Sequence, residues 1–499
     1  MSETTKRPVM AWTFVVTSVA AFMVALDNLV VTTALPSIRH SLHAGLSGLE
    51  WTINAYTLTF AVLLLTGAAL GDRFGRRRVL SVGMALFTAS SAAAALAPST
   101  PWLVAARAAQ GVGAALVLPL TLTILSAAVP ASRRGAALGV WGAMAGLAVA
   151  VGPVIGGAVT EGLAWQWIFW LNVPIGLALL PLIRRLDESH GPARRLDLPG
   201  VALVSAGLLG VVFGLVRGNS HGWTSPGVIG PLLGGAAVMG AFWAWERRAV
   251  EPMLPLGLFR NRGFAASNLT AWLMSFGMFG SIFLLAQFLQ GVQGYSPLQA
   301  GLRTLPWTAM PMIVAPLAGP LSDRIGGRPL LVAGLGLQAV GLAWMALVVS
   351  TGVSFLALVP PFVISGIGMA LFFVPIANVV FSSVRPDQEG IASGANNMLR
   401  ELGGVFGIAV LASVFSAHGG YASGTAFVSG LTPALWVGTA FVFAGFLAAL
   451  AIPRGRPVRA DSPVSTEGAP VLGPVLGPVE APVESAGAPG LVPASGPTS

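Results

Sequence analysis

An aspartate and an arginine stand inside runs that are otherwise apolar. Asp27 lies within residues 12–35 and Arg107 within residues 101–127. A carboxylate at the centre of a hydrocarbon layer costs roughly 2.5–3.5 kcal/mol on insertion scales. Desolvation favours the neutral acid, so Asp27 is suited to accepting and returning a proton. Arg107 keeps its charge and must face an acid, a water-filled cavity or the interior of a bundle. Where the two meet, protonating the acid frees the arginine; a permanently ionised brace between helices is the competing arrangement. Asp27 is read as the only acid deep within an apolar run.

A second group of charges recurs. Gly71-Asp72-Arg73-Phe74-Gly75-Arg76-Arg77-Arg78 and Ser322-Asp323-Arg324-Ile325-Gly326-Gly327-Arg328 each join two apolar runs. A carboxylate beside a helix start is favoured by the helix dipole, so Asp72 is expected to cap helix ends and act as a latch. Gly75 permits the turn. Asp72, Arg73, Gly75, Arg76, Asp323 and Arg324 are thus candidate gating residues. In the fifth run, Gly142/Gly146 and Gly152/Gly156 are small-xxx-small pairs that bring helices close. Pro153, next to Gly152 and followed by Gly156 and Gly157, bends the helix.

Pocket candidates are polar or aromatic residues within or beside the runs: Asn28, Asn54, Tyr56, Gln110, Asn268, Gln287 and Asn378. Trp272, Phe276, Phe279 and Phe283 fall at helical spacing. That stripe suits an apolar pocket, but packing or lipid contact suits it better.

These side chains need long helices to hold them. Of 499 residues 55% are hydrophobic and 9% charged, with mean hydropathy +0.79. Soluble domains carry about 25% charged residues, which excludes a water-soluble fold. Fourteen apolar stretches approach the roughly 20 residues that cross a bilayer, and helices are required because backbone groups in lipid must be satisfied within the segment. The expected fold is therefore all-α and membrane-spanning, with fourteen transmembrane helices.

Asp72 and Asp323 are offset so that the first six runs align with the last six. The expected organisation is an N-terminus at 1–11, a six-helix bundle at 12–183, a linker at 184–197, an inserted helix pair at 198–245, a linker at 246–263, a second six-helix bundle at 264–452 and a disordered tail at 453–499. A two-fold repeat of this kind points to a transporter with its site between the halves.

The net charge of +9 follows from membrane orientation rather than from nucleic acid. With the N-terminus inside, only Arg39, Arg217 and Arg303 fall outside and Arg107 within a span, as the positive-inside rule requires. Both termini are expected in the cytoplasm, at the inner membrane of the cell. Cysteine is absent, the histidines show no metal spacing, and the one lysine, Lys6, leaves no Gly-Lys-Ser/Thr phosphate loop. No enzyme, metal, cofactor or ATP is expected, so an ion gradient must supply the energy.

The chain resembles the fourteen-span drug:proton antiporters of the major facilitator superfamily over about residues 10–452. The resemblance rests on Leu26-Asp27-Asn28-Leu29-Val30-Val31-Thr32-Thr33-Ala34-Leu35-Pro36, the Asp72–Arg77 loop, Arg107-Ala-Ala-Gln110-Gly111, Gly152-Pro153-Val-Ile-Gly156-Gly157 and Trp165-Gln-Trp167-Ile-Phe169-Trp-Leu-Asn172-Val-Pro174-Ile-Gly176. It implies the major facilitator fold and alternating access in which an inward proton drives an outward drug or antibiotic. It also implies that Asp27 and Arg107 take part in coupling, and that Gly146, Gly152, Pro153, Gly156 and Gly157 form the antiporter helix motif. No acid occurs in run 302–321, where some relatives use one for divalent cations. Neutral, zwitterionic or singly charged substrates are expected, carried by a monomer. A dedicated exporter of an endogenous metabolite is the alternative.

Overall fold

The computed structural model describes residues 3–129, 131–191, 196–385 and 388–453. The first half comprises α1 (Glu3–Leu42), α2 (Leu46–Phe74), α3 (Arg76–Ala95), α4 (Thr100–Ala128), α5 (Ala131–Gly162), α6 (Trp167–Trp170) and α7 (Asn172–Ile183). Then come α8 (Leu198–His221) and α9 (Pro226–Glu246). The second half runs α10 (Arg262–Gly291), α11 (Pro297–Thr308), α12 (Met310–Ile325), α13 (Gly327–Val348), α14 (Phe355–Ser382), α15 (Glu389–His418) and α16 (Gly424–Leu450). No strand occurs among the described residues. The expected tail lies outside them from residue 454 onward.

Eleven helices are long and apolar enough to cross a membrane, and Leu147–Gly162 and Trp167–Ile183 are shorter apolar pieces. Two of the fourteen apolar runs are broken, and prolines account for both breaks. Pro311 offers no N–H to the carbonyl of Trp307, so run 302–321 divides at Ala309 into α11 and α12. Pro174 does the same to Trp170, at the α6–α7 junction. At the chain start, α1 begins at Glu3, so most of the expected N-terminal segment is helix.

Pairings in the two halves correspond. In the first, α1 packs on α5, α2 on α4, and α3 on α4 and α7; in the second, α10 packs on α15, α12 on α14, and α13 on α14 and α16. Contacts across the halves are reciprocal as well: α5 meets α11, and α2 meets α15. The charged loops match in backbone, since Gly75 (φ 102°) and Gly326 (φ 84°) both take a conformation that side chains resist. The α8–α9 pair packs through α8 onto α15 and α2, leaving α9 largely exposed.

Candidate functional site

In the middle of the first half, α1, α2, α3, α4 and α7 surround one charge pair. Asp27 is 2% exposed and Arg107 fully buried. Arg107 Nη1 donates to Asp27 Oδ2 at 2.5 Å and to Gln110 Oε1 at 2.7 Å. Asp27 Oδ1 accepts from Gln110 Nε2 at 2.8 Å and from Asn172 Nδ2 at 2.7 Å. Gln110 also donates to Ser91 Oγ, and Arg107 Nε donates to the carbonyl of Thr52. The guanidinium lies 4.2 Å from the Tyr56 ring centroid, and the Tyr56 hydroxyl donates to the Val24 carbonyl.

Every polar contact to Asp27 comes from a donor, which is the arrangement of an ionised carboxylate. Arg107 Nη2 is buried with no hydrogen-bond partner among the described residues. Asp27 thus accepts three hydrogen bonds, while one buried nitrogen of the arginine makes none. That imbalance suits a pair that changes partners, because a buried donor left unmade is costly. Sequence reasoning missed the roles of Asn172 and Ser91. Asn172 stands in a motif flanked by tryptophans, but only the turn at Pro174 brings its amide to α1.

A second site lies between the halves. A cavity of about 20 Å³ is lined by Asn28, Thr32, Thr57, Phe279, Phe283 and Glu401, among others. That is room for about one water, so the halves are closed around it. Glu401 is 6% exposed and lies mid-way along α15, paired with Arg400 at 3.1 Å. Asp27 is thus not the only deep acid. Glu401 was overlooked because the polar segment around it reads as the approach to a span, whereas α15 starts at Glu389. Glu50, 3% exposed on α2, is another.

Other pocket candidates fall elsewhere. Phe276 stacks on Phe441, and Trp272 meets Phe276, Phe406 and Phe441 at tilted angles inside the second half. Glycines 403 and 407 of α15 admit the α10 backbone at those residues, so the first half of the aromatic stripe is packing and the second lines the cavity. Asn54 is buried, with neither amide atom bonded among the described residues. Gln287 accepts from Tyr421 at the end opposite the charged loops. Asn378 donates to Ser322, beside the second loop. Asn268 accepts from Asn396.

The first charged loop is held differently from the expectation. Asp72 pairs with Arg76 at 2.8 Å and makes no cap to α3. The capping carboxylate is Glu188, from the segment after α7, which accepts from Arg77 N at 2.9 Å and faces the Arg77 and Arg78 guanidinia. Ser189 O accepts from Arg76 N. Because Asp72 is drawn to a cation one turn away, the cap passes to a residue no local motif reveals. Replacing Glu188→Ala should cost about 1 kcal/mol, the usual worth of an N-cap, read as a lower thermal unfolding midpoint. An unchanged midpoint would remove this role. Arg73 and Arg324 are exposed, and the side chain of Asp323 lies outside what is described.

The glycines of α5 let helices touch. A Cβ at Gly152 would fall 2.8 Å from Leu29 Cβ, and one at Gly156 would meet Thr33 and Val30 of α1. Gly157 faces the Pro297 backbone of α11, and Gly301 of α11 faces the Pro153 carbonyl in return. At the same end, Glu161 accepts from Ser296 Oγ at 2.5 Å and from Leu298 N at 2.9 Å, so α5 caps α11 across the halves. Gly146 lies among the residues whose surroundings are not described.

Comparison with known proteins identifies the family. The family model for the Major Facilitator Superfamily matches residues 17–408. "Multidrug resistance protein Stp" of Mycobacterium tuberculosis (strain CDC 1551 / Oshkosh) is 39% identical over 409 residues, covering 81% of this chain and 76% of that protein. "Tetracenomycin C resistance and export protein" of Streptomyces glaucescens is 34% identical over 412 residues, covering 82% and 76%. A crystal structure of a bacterial homolog of the human lysosomal transporter Spinster, inward-facing and unoccupied, superposes with TM-score 0.64 at 16% identity, covering 91% and 98%. At that identity the match speaks for the fold alone.

Proposed function

The chain belongs to the major facilitator superfamily, and on that premise we propose that it is a fourteen-span drug:proton antiporter exporting small molecules across the cytoplasmic membrane. Relatives named for multidrug resistance and antibiotic export support the efflux reading. The fourteen spans are the eleven long helices together with α5, the broken α6–α7 and the broken α11–α12. The α8–α9 pair is the insertion between two six-helix bundles. The charged loops face the cytoplasm, as their arginines require.

One observation carries the coupling: a carboxylate buried in α1 whose partners are all donors, one of them an arginine with a free N–H. In the proposed cycle Asp27 first holds Arg107 as a carboxylate. A proton entering from outside neutralises Asp27 and releases Arg107, which is then restrained by Gln110, Thr52 and the Tyr56 ring. Because α1 also walls the central cavity through Asn28, Leu29 and Thr32, the loss of this contact is felt by the substrate site within one helical turn. Each inward charge gains about 2.3 kcal/mol per 100 mV of membrane potential, enough to drive a neutral molecule outward.

Glu401 sharpens the substrate class. A carboxylate in a cavity otherwise lined by apolar, hydroxyl and amide groups, able to exchange its partly exposed partner Arg400 for a guest, favours one with one positive charge and an apolar body. Glu401→Gln is expected to lower tolerance to singly charged cationic compounds by about tenfold, the scale of one charge-assisted hydrogen bond, and to spare neutral ones. Equal loss for both classes would refute the assignment. A dedicated exporter of an endogenous antibiotic remains a second reading, favoured by the relative whose printed name joins resistance to export. A resistance panel against cells expressing no copy decides between many compounds and one.

A further inference from the structure

At the end opposite the charged loops lies a larger cavity, of about 650 Å³, within the roughly 300–1,000 Å³ of small-molecule sites. Both halves build it. Arg39 and His40 end α1, His43 forms the following turn, Gln287 comes from α10, and Tyr421 and Ser423 precede α16.

Three of those six side chains carry basic nitrogens, and no carboxylate lines the space. The Arg39 guanidinium carbon sits over the Tyr421 ring, 3.6 Å from its centroid. The Tyr421 hydroxyl donates to Gln287 Oε1 at 2.5 Å, and Gln287 Nε2 donates to the Phe283 carbonyl. That ring contact holds the guanidinium, and none of its N–H groups donates a hydrogen bond to the described residues. Its N–H groups lie in the plane of the fork, at the edges, where a guest can reach them. Among the described residues Arg39 has no ion-pair partner. Burial pushes the Tyr421 hydroxyl up, with Arg39 opposing and the buried Glu50 adding to the rise. Tyr421 therefore stays a neutral donor and brings no negative charge. His43 is the one non-glycine residue with positive φ, 49°, among those described, so the turn holds its imidazole at some backbone strain.

Basic groups in the last turn of α1 also offset the negative end of its dipole. That explains charge at the terminus. It does not explain an arginine laid across onto a tyrosine of the other half, a third basic residue beyond the helix, or an open space of this size between the halves.

We propose that this vestibule is an oxyanion-recognising exit site, which takes the carboxylate or similar acidic group of a small organic molecule on its way out. The direction of travel rests on the exporter reading; the binding chemistry does not. Acidic groups also occur on lipid headgroups, and the test separates the two sources. Together with Glu401 at the centre, the vestibule sets opposite charge preferences along the path, which suits a guest that carries one group of each sign.

The experiment uses the purified full chain in nanodiscs of zwitterionic phosphatidylcholine, with 2-naphthoate as probe and uncharged 2-naphthamide as its match. Calorimetric titration should show 2-naphthoate binding about tenfold more tightly than the amide, the worth of a charge-assisted contact. Arg39→Gln should reduce it to the level of the amide, and Arg39→Lys should keep most of it. Where Arg39→Gln does not fold, His43→Gln carries the test and should weaken 2-naphthoate several-fold. Adding phosphatidylglycerol to the discs separates the sources. Competition with 2-naphthoate assigns the site to lipid headgroups as well, and no competition reserves it for soluble anions. Equal affinity for acid and amide, or unchanged 2-naphthoate binding in folded Arg39→Gln and His43→Gln, overturns the proposal. Because binding is read without transport, intact binding alongside absent export would sink the exporter reading alone.

Discussion

Asp27→Asn should bring drug tolerance down to the level of cells without the protein, while the protein still folds and reaches the membrane. An amide has no proton to exchange, so Arg107 no longer alternates between a charged and a neutral partner. Removing one member of a buried pair usually costs about 3–5 kcal/mol because the other charge is left uncompensated. Here Gln110 already accepts from Arg107 and keeps doing so, while Asn172, which donates to the carboxylate, can turn its amide to offer a carbonyl oxygen, and together these offset part of the cost. Normal membrane yield with absent resistance is therefore the expected signature. Resistance equal to that of the parent would show that the buried acid takes no part in the cycle.

Gly157→Val is expected to have the next largest effect, through geometry rather than charge. A Cβ there already falls 2.8 Å from Leu298 Cα and closer to the Pro297 backbone, and backbone atoms cannot step aside as a side chain can. The α5–α11 seam must separate, with Glu161 drawn away from Ser296 and Leu298. Overpacking costs about 1–3 kcal/mol, enough to move a two-state equilibrium about tenfold or more towards the conformation open at that end. The chain has no cysteine, so a single Thr32→Cys substitution in the central cavity reports opening through its rate of labelling by a membrane-impermeant maleimide. The rate should rise at least about tenfold with Gly157→Val, and export should fall. Labelling at the parental rate would mean that this seam is not a gate.

Much of this was visible in the chain before any coordinates. Apolar runs of spanning length announce helices in lipid because no other element satisfies its backbone alone. The single misplaced charges Asp27 and Arg107 stand out against that background. The repeated loop fixes the correspondence of Gly75 with Gly326, and the two glycines share a positive φ.

What stayed hidden depended on contacts between distant segments. Glu188 caps α3 from 111 residues away, and nothing in its own surroundings marks it. Glu401 hid because a polar stretch beginning a helix looks like a loop. Trp272 and Phe279 share one stripe, yet a neighbouring helix with glycines at 403 and 407 decides which of them faces the cavity. Periodicity places a side chain on a face of its own helix; the partner helix determines what that face touches.

Uptake into everted membrane vesicles tests the central claim most directly. For a compound whose tolerance the protein raises, the vesicles should accumulate it only while their interior is acid, and lose it when a protonophore is added. Adding the compound should in turn drive protons out of the vesicles, and Asp27→Asn vesicles should do neither. Accumulation that persists with the gradient collapsed, or proton movement undiminished in Asp27→Asn, would contradict the account.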